Sequence, residues 1–187
     1  MILFVNACVR KDSRTKRLAE HLISKLNDEV TEVRLKDMIF PVADEDFLNK
    51  RDKLLRNKSF SDPMFKQAAD FSKADTIVIA APFWDLSFPS VLKQYLEQIN
   101  VVGITFYYGE DGVPVSMCRA DRLYYVTTSG GPIYDDSYGY GYVDALSDAF
   151  YGIKNRTLIK AEGLDIYGAD VEKILQDAED EIDNLFR

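Results

Sequence analysis

What is scarce in this 187-residue chain narrows the field before any motif is read. It has two cysteines, Cys8 and Cys118, far too few for a disulfide framework or a cysteine-rich metal centre. Its single histidine, His21, falls within a helical pattern, which favours a structural or surface role over that of a general base. Positive charge is in deficit: 23 Lys+Arg against 31 Asp+Glu leave a net −8. That is the wrong sign for a general partner of nucleic acid or anionic membranes. No apolar run approaches the ~18 residues of a membrane span, and no basic stretch leads an apolar core and a small-residue cleavage site. There is no G-x-x-x-x-G-K-[ST], and no G-x-G-x-x-G follows the first apolar run, so nucleoside triphosphates and dinucleotide binding through that turn both lose weight. Internal repeats, low-complexity tracts and linkers are absent as well. What remains is a soluble, cytoplasmic protein forming a single domain over residues 1–187, with an ordinary 47% apolar and 29% charged composition. A chain of this length buries roughly 70% of its unfolded surface.

Apolar runs alternate with helical patterns. Ile2–Val5 reads as a buried strand ending in a turn at Asn6-Ala7-Cys8, and Leu18, Leu22, Ile23 and Leu26 follow at helical spacing with Ser13 as N-cap. Val30–Leu35 alternates as an edge strand. The charged stretch Lys36–Ser61 is an excursion with helix around Phe47–Leu55, and Asp62–Ser72 is a helix with Pro63 at its first position. Asp44-Glu45-Asp46 has no metal-ligand spacing and reads as a solvated face. Thr76–Ala81 is apolar throughout, the mark of a strand covered on both faces. Pro89 opens a helix carrying Val91, Leu92, Tyr95, Leu96 and Ile99, and Ile104–Ser116 encloses Glu110-Asp111-Gly112 as a hairpin. Arg122–Thr128 is a further buried strand, followed by a helix around Val143–Phe150, a strand near Thr157–Ala161 and a last helix over Asp170–Leu185. Strand and helix alternate, so the fold class is α/β: a doubly wound parallel sheet of about five strands. Ligands of such sheets bind beyond the carboxyl ends of the strands.

Three loops leave those ends. The first, Arg10–Arg17, holds five cations and one anion in eight residues, an excess of four positive charges, with the Ser13 and Thr15 hydroxyls where a helix begins. Free backbone N–H groups and the helix dipole make such a turn a phosphate site; a capped helix with a solvated basic turn is the alternative. The second loop, Pro82-Phe83-Trp84-Asp85-Leu86-Ser87-Phe88-Pro89, sets three aromatics between two prolines, suited to walling a flat heteroaromatic ring or to a core or dimer contact. The third, Thr127-Thr128-Ser129-Gly130-Gly131, supplies hydroxyls and side-chain-free backbone; alone it would be only a turn. Together they point to a ligand with phosphate at one end and a planar ring at the other, a description flavin mononucleotide (FMN) meets. Tyr134, Tyr138, Tyr140 and Tyr142 follow the third loop as either a lid or a surface loop.

The stretch APFWDLSFPSVLKQYLEQINVVGITFYYGEDG resembles the A-P-M-(W/Y)-N-F-S-I-P-x-x-L-K segment and aromatic hairpin of the FMN-dependent NADH azoreductases, which are flavodoxin-like NAD(P)H:quinone oxidoreductases. ILFVNACVRKDSRTKRLAEHL resembles their phosphate loop, TTSGGPIY their third flavin loop and FYGIKNRTLIKAEGL their final strand, so the likeness runs over nearly the whole chain. The resemblance implies a flavodoxin-like five-stranded sheet of order 2-1-3-4-5 with helices on both faces. It implies tightly bound FMN, NADH or NADPH as co-substrate, and ping-pong reduction of quinones or azo compounds by a homodimer; a flavodoxin-type electron carrier without its own small-molecule substrate is the rival. The implied cofactor contacts are Cys8, Arg10, Ser13, Arg14 and Thr15 in the first loop, Pro82, Phe83, Trp84, Asp85 and Leu86 in the second, and Thr128, Ser129, Gly130 and Gly131 in the third. No catalytic side chain and no metal are implied, since the flavin carries the chemistry. The chain departs from the family at Cys8, where Ser is usual, and at Asp85, where Asn is usual.

Overall fold

The computed structural model describes residues 1–187. In chain order the elements are β1 (Ile2–Asn6), α1 (Arg14–Leu26), β2 (Val30–Arg34), α2 (Glu45–Arg56), α3 (Lys66–Lys73), β3 (Thr76–Ala80), α4 (Ser90–Ile99), β4 (Phe106–Tyr108), β5 (Pro114–Ser116), β6 (Arg122–Thr128), α5 (Tyr140–Leu146), β7 (Asn155–Ala161) and α6 (Val171–Asn184). Five strands form one parallel sheet in the order β2-β1-β3-β6-β7. Setting aside the separate antiparallel pair β4–β5, this is the expected 2-1-3-4-5 arrangement.

Successive strand side chains point to opposite faces, which divides the apolar strands between two cores. Ile2, Phe4, Val78, Ala80, Tyr124 and Val126 meet Leu18 and Leu22 of α1 and Leu175, Ala178 and Ile182 of α6. Their neighbours Leu3, Val5, Ile77, Ile79, Leu123 and Tyr125 meet Phe71 of α3, the Leu92, Tyr95, Leu96 and Ile99 stripe of α4, and Val143 and Leu146 of α5. Both faces of the sheet are therefore covered by helices. None of these helices is long and apolar enough to cross a membrane.

Local chemistry fixes the helix ends. Ser13 caps α1, its hydroxyl accepting from Lys16 N–H at 3.3 Å. Asp44 caps α2 by accepting from Phe47 N–H at 2.9 Å, with Glu45 and Asp46 in the first turn. The acidic run thus belongs at a helix N-terminus, where the dipole favours it. The helix expected over Asp62–Ser72 is divided: Asp62 caps a 3₁₀ turn at Pro63–Phe65 before α3 starts at Lys66. A tight opening turn of this kind is common at helix N-termini.

The helix expected around Val143–Phe150 begins three residues earlier and widens at its end into a π-helical turn, Ser147–Tyr151. Ser147 Oγ donates back to Val143 O at 2.8 Å, within the turn that widens. The wider turn serves two consecutive aromatics: Phe150 stacks on Phe106 of the hairpin, centroids 4.6 Å apart, while Tyr151 enters the core against Phe71 at 4.8 Å. The hairpin is thereby fastened to the domain. Phe71 is fully buried in this junction, so Phe71→Ala should lower the unfolding free energy by ~3–5 kcal/mol. Urea titration checks this, and a loss under ~1 kcal/mol would contradict the packing described.

Candidate functional site

Register brings the three loops together. Asn6 lies opposite Ala80, and Ala80 opposite Val126, at the carboxyl ends of β1, β3 and β6. The ladder continues past the strands: Ala7 N–H donates to Ala80 O at 2.9 Å, Ala81 N–H to Val126 O at 3.0 Å and Phe83 N–H to Thr128 O at 2.9 Å. Beyond these bonds opens a cleft of about 510 Å³. The first loop lines it with Val9, Arg10, Asp12, Ser13, Arg14 and Thr15, the second with Pro82, Phe83, Trp84 and Asp85, and the third with Thr128, Ser129 and Gly130. Thr15 and Thr128 share a buried hydrogen bond of 2.7 Å between their hydroxyls, tying the start of α1 to the tip of β6.

At one end the cleft meets the N-terminus of α1, whose first turn carries no acidic residue. Arg10 makes no ion pair there, and Arg14 donates through Nη1 to Asp165 Oδ1 at 2.8 Å and to Leu164 O at 3.5 Å. The other cations of the loop lie elsewhere. Lys11, Lys16 and Arg17 line an outer groove instead. Lys16 pairs with Glu20 at 2.8 Å, and Arg17 bridges to Glu172 and Glu179 of α6 at 2.7 and 2.8 Å. The local excess of positive charge read from the sequence is therefore split, because carboxylates of α1 and α6 engage Lys16 and Arg17. His21 belongs to the same α1–α6 seam, its Nε2 2.6 Å from Asp183 Oδ1.

The other end is apolar and rigid. Trp84 and Ser87 exchange N–H···O=C bonds of 2.8 Å in both directions, and the residues between them, Asp85 and Leu86, have φ of 50° and 68°. This is a type I′ turn with neither glycine nor asparagine in it. Aspartate tolerates the left-handed region, whereas leucine there is strained. Leu86 points away from the cleft and is exposed, while Phe83 and Trp84 wall it. Gly139 backs the Phe83 ring: a Cβ at that position would lie 3.4 Å from it. Ser87 Oγ also donates to Tyr138 O. The tyrosine cluster consequently divides. Tyr140 and Tyr142 pack against Tyr125 and Phe88, each pair of centroids 5.8 Å apart, whereas Tyr134 and Tyr138 are exposed.

Cys8, Leu86 and Gly131 are the sequence-derived contacts that do not line the cleft. Cys8 is buried beneath the first loop with Sγ 3.8 Å from Ala80 O, and burial pushes its thiol above the usual range. The same cause pushes Cys118 up to about 12. Gly131 is exposed, its carbonyl accepting from Ser129 Oγ. Conversely, the cleft includes a fourth wall that the loop reading missed, Leu164 and Asp165 beyond β7. Backbone bonds from Leu164 N–H to Ser129 O at 3.1 Å and from Asp165 N–H to Gly130 O at 2.9 Å stitch it to the third loop. Its signal in the sequence was Gly163, whose φ of 77° turns the chain out of the last strand. A cleft of this volume suits a small organic ligand. Its cationic helix terminus and its aromatic wall suit an anionic tail and a flat head.

A family described as having a flavodoxin-like fold matches residues 1–186. The chain is 34% identical to an FMN-dependent NADH:quinone oxidoreductase of Coprothermobacter proteolyticus, over 98% of this chain and 96% of that protein. It is 33% identical to an enzyme of the same name from Clostridium beijerinckii, over 96% and 94% respectively. Among solved structures it is similar to an azoreductase from Bacillus anthracis, with a TM-score of 0.84 at 24% identity, covering 99% of this chain and 97% of that one.

The hydroxyl pair between the first and third loops makes a direct forecast. Thr15→Val preserves shape but strands the buried Thr128 hydroxyl, so stability should fall by ~1–3 kcal/mol. A thermal or urea unfolding series measures it, and an unchanged midpoint would show that the pair does not hold the loops together.

Proposed function

The chain belongs to the Flavodoxin_2 family of flavodoxin-like folds, and from that premise we propose that it is an FMN-dependent NADH:quinone oxidoreductase, active also on azo compounds, whose cofactor lies in the cleft described above. The observation that carries this reading is the convergence of a helix N-terminus bearing Arg10, Ser13 and Arg14 with the Pro82-Phe83-Trp84 wall and the Gly130 backbone in one cleft. The near-full-length likeness to enzymes of that name supports it.

When bound, the flavin supplies reversible acceptance of hydride from NADH and its delivery as two electrons to a quinone or azo acceptor. The chain's own residues bind and orient. The free N–H groups of α1, the Ser13 hydroxyl and the guanidinium groups of Arg10 and Arg14 hold the phosphate tail. Backbone from Pro82 to Asp85 and from Thr128 to Gly130 reads the edge of the ring. Phe83 and Trp84 exclude water from one side of it. Asp85 brings a carboxylate without an ion-pair partner to the ring end, where it opposes accumulation of negative charge. No side chain is needed as acid or base.

A homodimer completes the proposal. Trp84 at the cleft and Leu86, Tyr134 and Tyr138 in the loops that follow β3 and β6 are exposed apolar side chains that a second copy would cover. The two unpaired cysteines suit a reducing, cytoplasmic location.

Purified protein should be yellow, bleach on addition of NADH and recover on addition of menadione. A flavin-bearing protein that does not turn over NADH with menadione would instead be an electron carrier. Combining Ser13→Ala with Arg14→Ala should weaken FMN binding at least tenfold, about 1.4 kcal/mol or more, and an unchanged dissociation constant rejects the assigned cleft. Light scattering on the eluted protein should give twice the chain mass; a monomer rejects the dimer.

A further inference from the structure

Two observations place one side chain between the tail end of the cleft and its third loop. Arg14 Nη1 is 2.8 Å from Asp165 Oδ1, and the other carboxylate oxygen, Asp165 Oδ2, lies 2.5 Å from where a Cβ on Gly130 would stand. The carboxylate therefore spans from the first loop to the third, close over the Gly130 backbone. Its own backbone is anchored through the bond from Asp165 N–H to Gly130 O, so the loop is fixed while the side chain is free to turn. Arg14 and Asp165 are 41% and 72% exposed. A pair so open to water contributes little to the fold and exchanges partners readily.

Charge in the cleft sharpens the point. Its lining holds two guanidinium groups, Arg10 and Arg14, and three carboxylates, Asp12, Asp85 and Asp165. Three of the five cations of the first loop face elsewhere, which leaves at the tail end Arg10, without an ion pair, and Arg14, already engaged by Asp165. A phosphate on the cofactor and the Asp165 carboxylate call on the same guanidinium.

We infer that Asp165 is an internal anion standing in for the cofactor phosphate: it holds Arg14 in the unloaded cleft, must release it when a phosphate-bearing flavin enters, and so sets which flavins the cleft retains. This rests on the assignment of the cleft to FMN. A dianionic phosphate displaces a single carboxylate from an arginine, because it brings more charge and more acceptor oxygens. A flavin without the phosphate leaves the Arg14–Asp165 pair closed, and gains nothing from Arg14.

The test compares FMN with riboflavin on the full chain stripped of flavin, using the quenching of flavin fluorescence on binding. Asp165→Asn keeps the shape and removes the charge. It should tighten FMN binding by about threefold or more, the factor expected of a screened charge pair, while riboflavin changes by less than about half that factor. The gain should shrink as salt is raised, a response that a purely structural role would not produce. Asp165→Ser gives the same comparison independently, and unaltered circular dichroism shows that both variants fold. FMN binding that is unchanged or weaker in both variants, with the wild type still binding FMN in a manner sensitive to Arg14→Ala, overturns this inference alone. A wild-type chain that binds no FMN, or binds it regardless of Arg14, overturns the cofactor assignment and this inference together.

Discussion

Everything at the ligand-facing edge depends on the shared register of three parallel strands. Because Asn6, Ala80 and Val126 sit side by side across β1, β3 and β6, the loops that follow leave the sheet from one line. The ladder bonds of Ala7, Ala81 and Phe83 keep them together for further residues. A slip of one residue in any of these strands would exchange its two faces and move its loop along the edge. Apolar side chains on both faces forbid that slip, since each face already has its own helices. The Thr15–Thr128 bond then adds a fixed crosspiece at the mouth.

Much of this frame was legible in the sequence, for a definite reason. Strands buried on both faces must be apolar throughout, and Ile2–Val5, Thr76–Ala81 and Arg122–Thr128 stood out on that basis alone. Ser13 announced the start of α1 because a hydroxyl just before an apolar 3.6-residue period has one common use. The type I′ turn at Asp85 and Leu86 gave only half such a sign: Asp85 tolerates left-handed backbone, but the glycine that normally follows it is replaced by Leu86. The π-helical turn at Ser147–Tyr151 was equally silent, since its cause is tertiary, the need to seat Phe150 and Tyr151 on different partners.

The candidate site was legible as a set of loops and less so as a set of contacts. Counting cations in Arg10–Arg17 treated the segment as a point charge, whereas α1 spreads it around a cylinder and gives Arg17 to Glu172 and Glu179. Cys8 sits in the right loop but on the buried side of it. Leu164 and Asp165 come from a strand whose end was located correctly, yet only the backbone bonds to Ser129 and Gly130 bring them to the cleft. Contacts made between loops, rather than within one, are what a linear reading cannot order. The same region holds the strained Leu86 and the contested Arg14, so local rules are broken where a ligand has to be met and kept where the fold has to stand.

The seclusion of the two thiols, Cys8 buried and Cys118 partly so, has a chemical consequence if the chain reduces quinones as proposed. Quinones are electrophiles that alkylate thiolates by conjugate addition, and the thiolate fraction sets the speed of that attack. With Cys8 sealed under the first loop and Cys118 held protonated far above neutral pH, the chain would offer a quinone almost no sulfur nucleophile. Resistance to alkylation would then come from how the chain packs its two thiols.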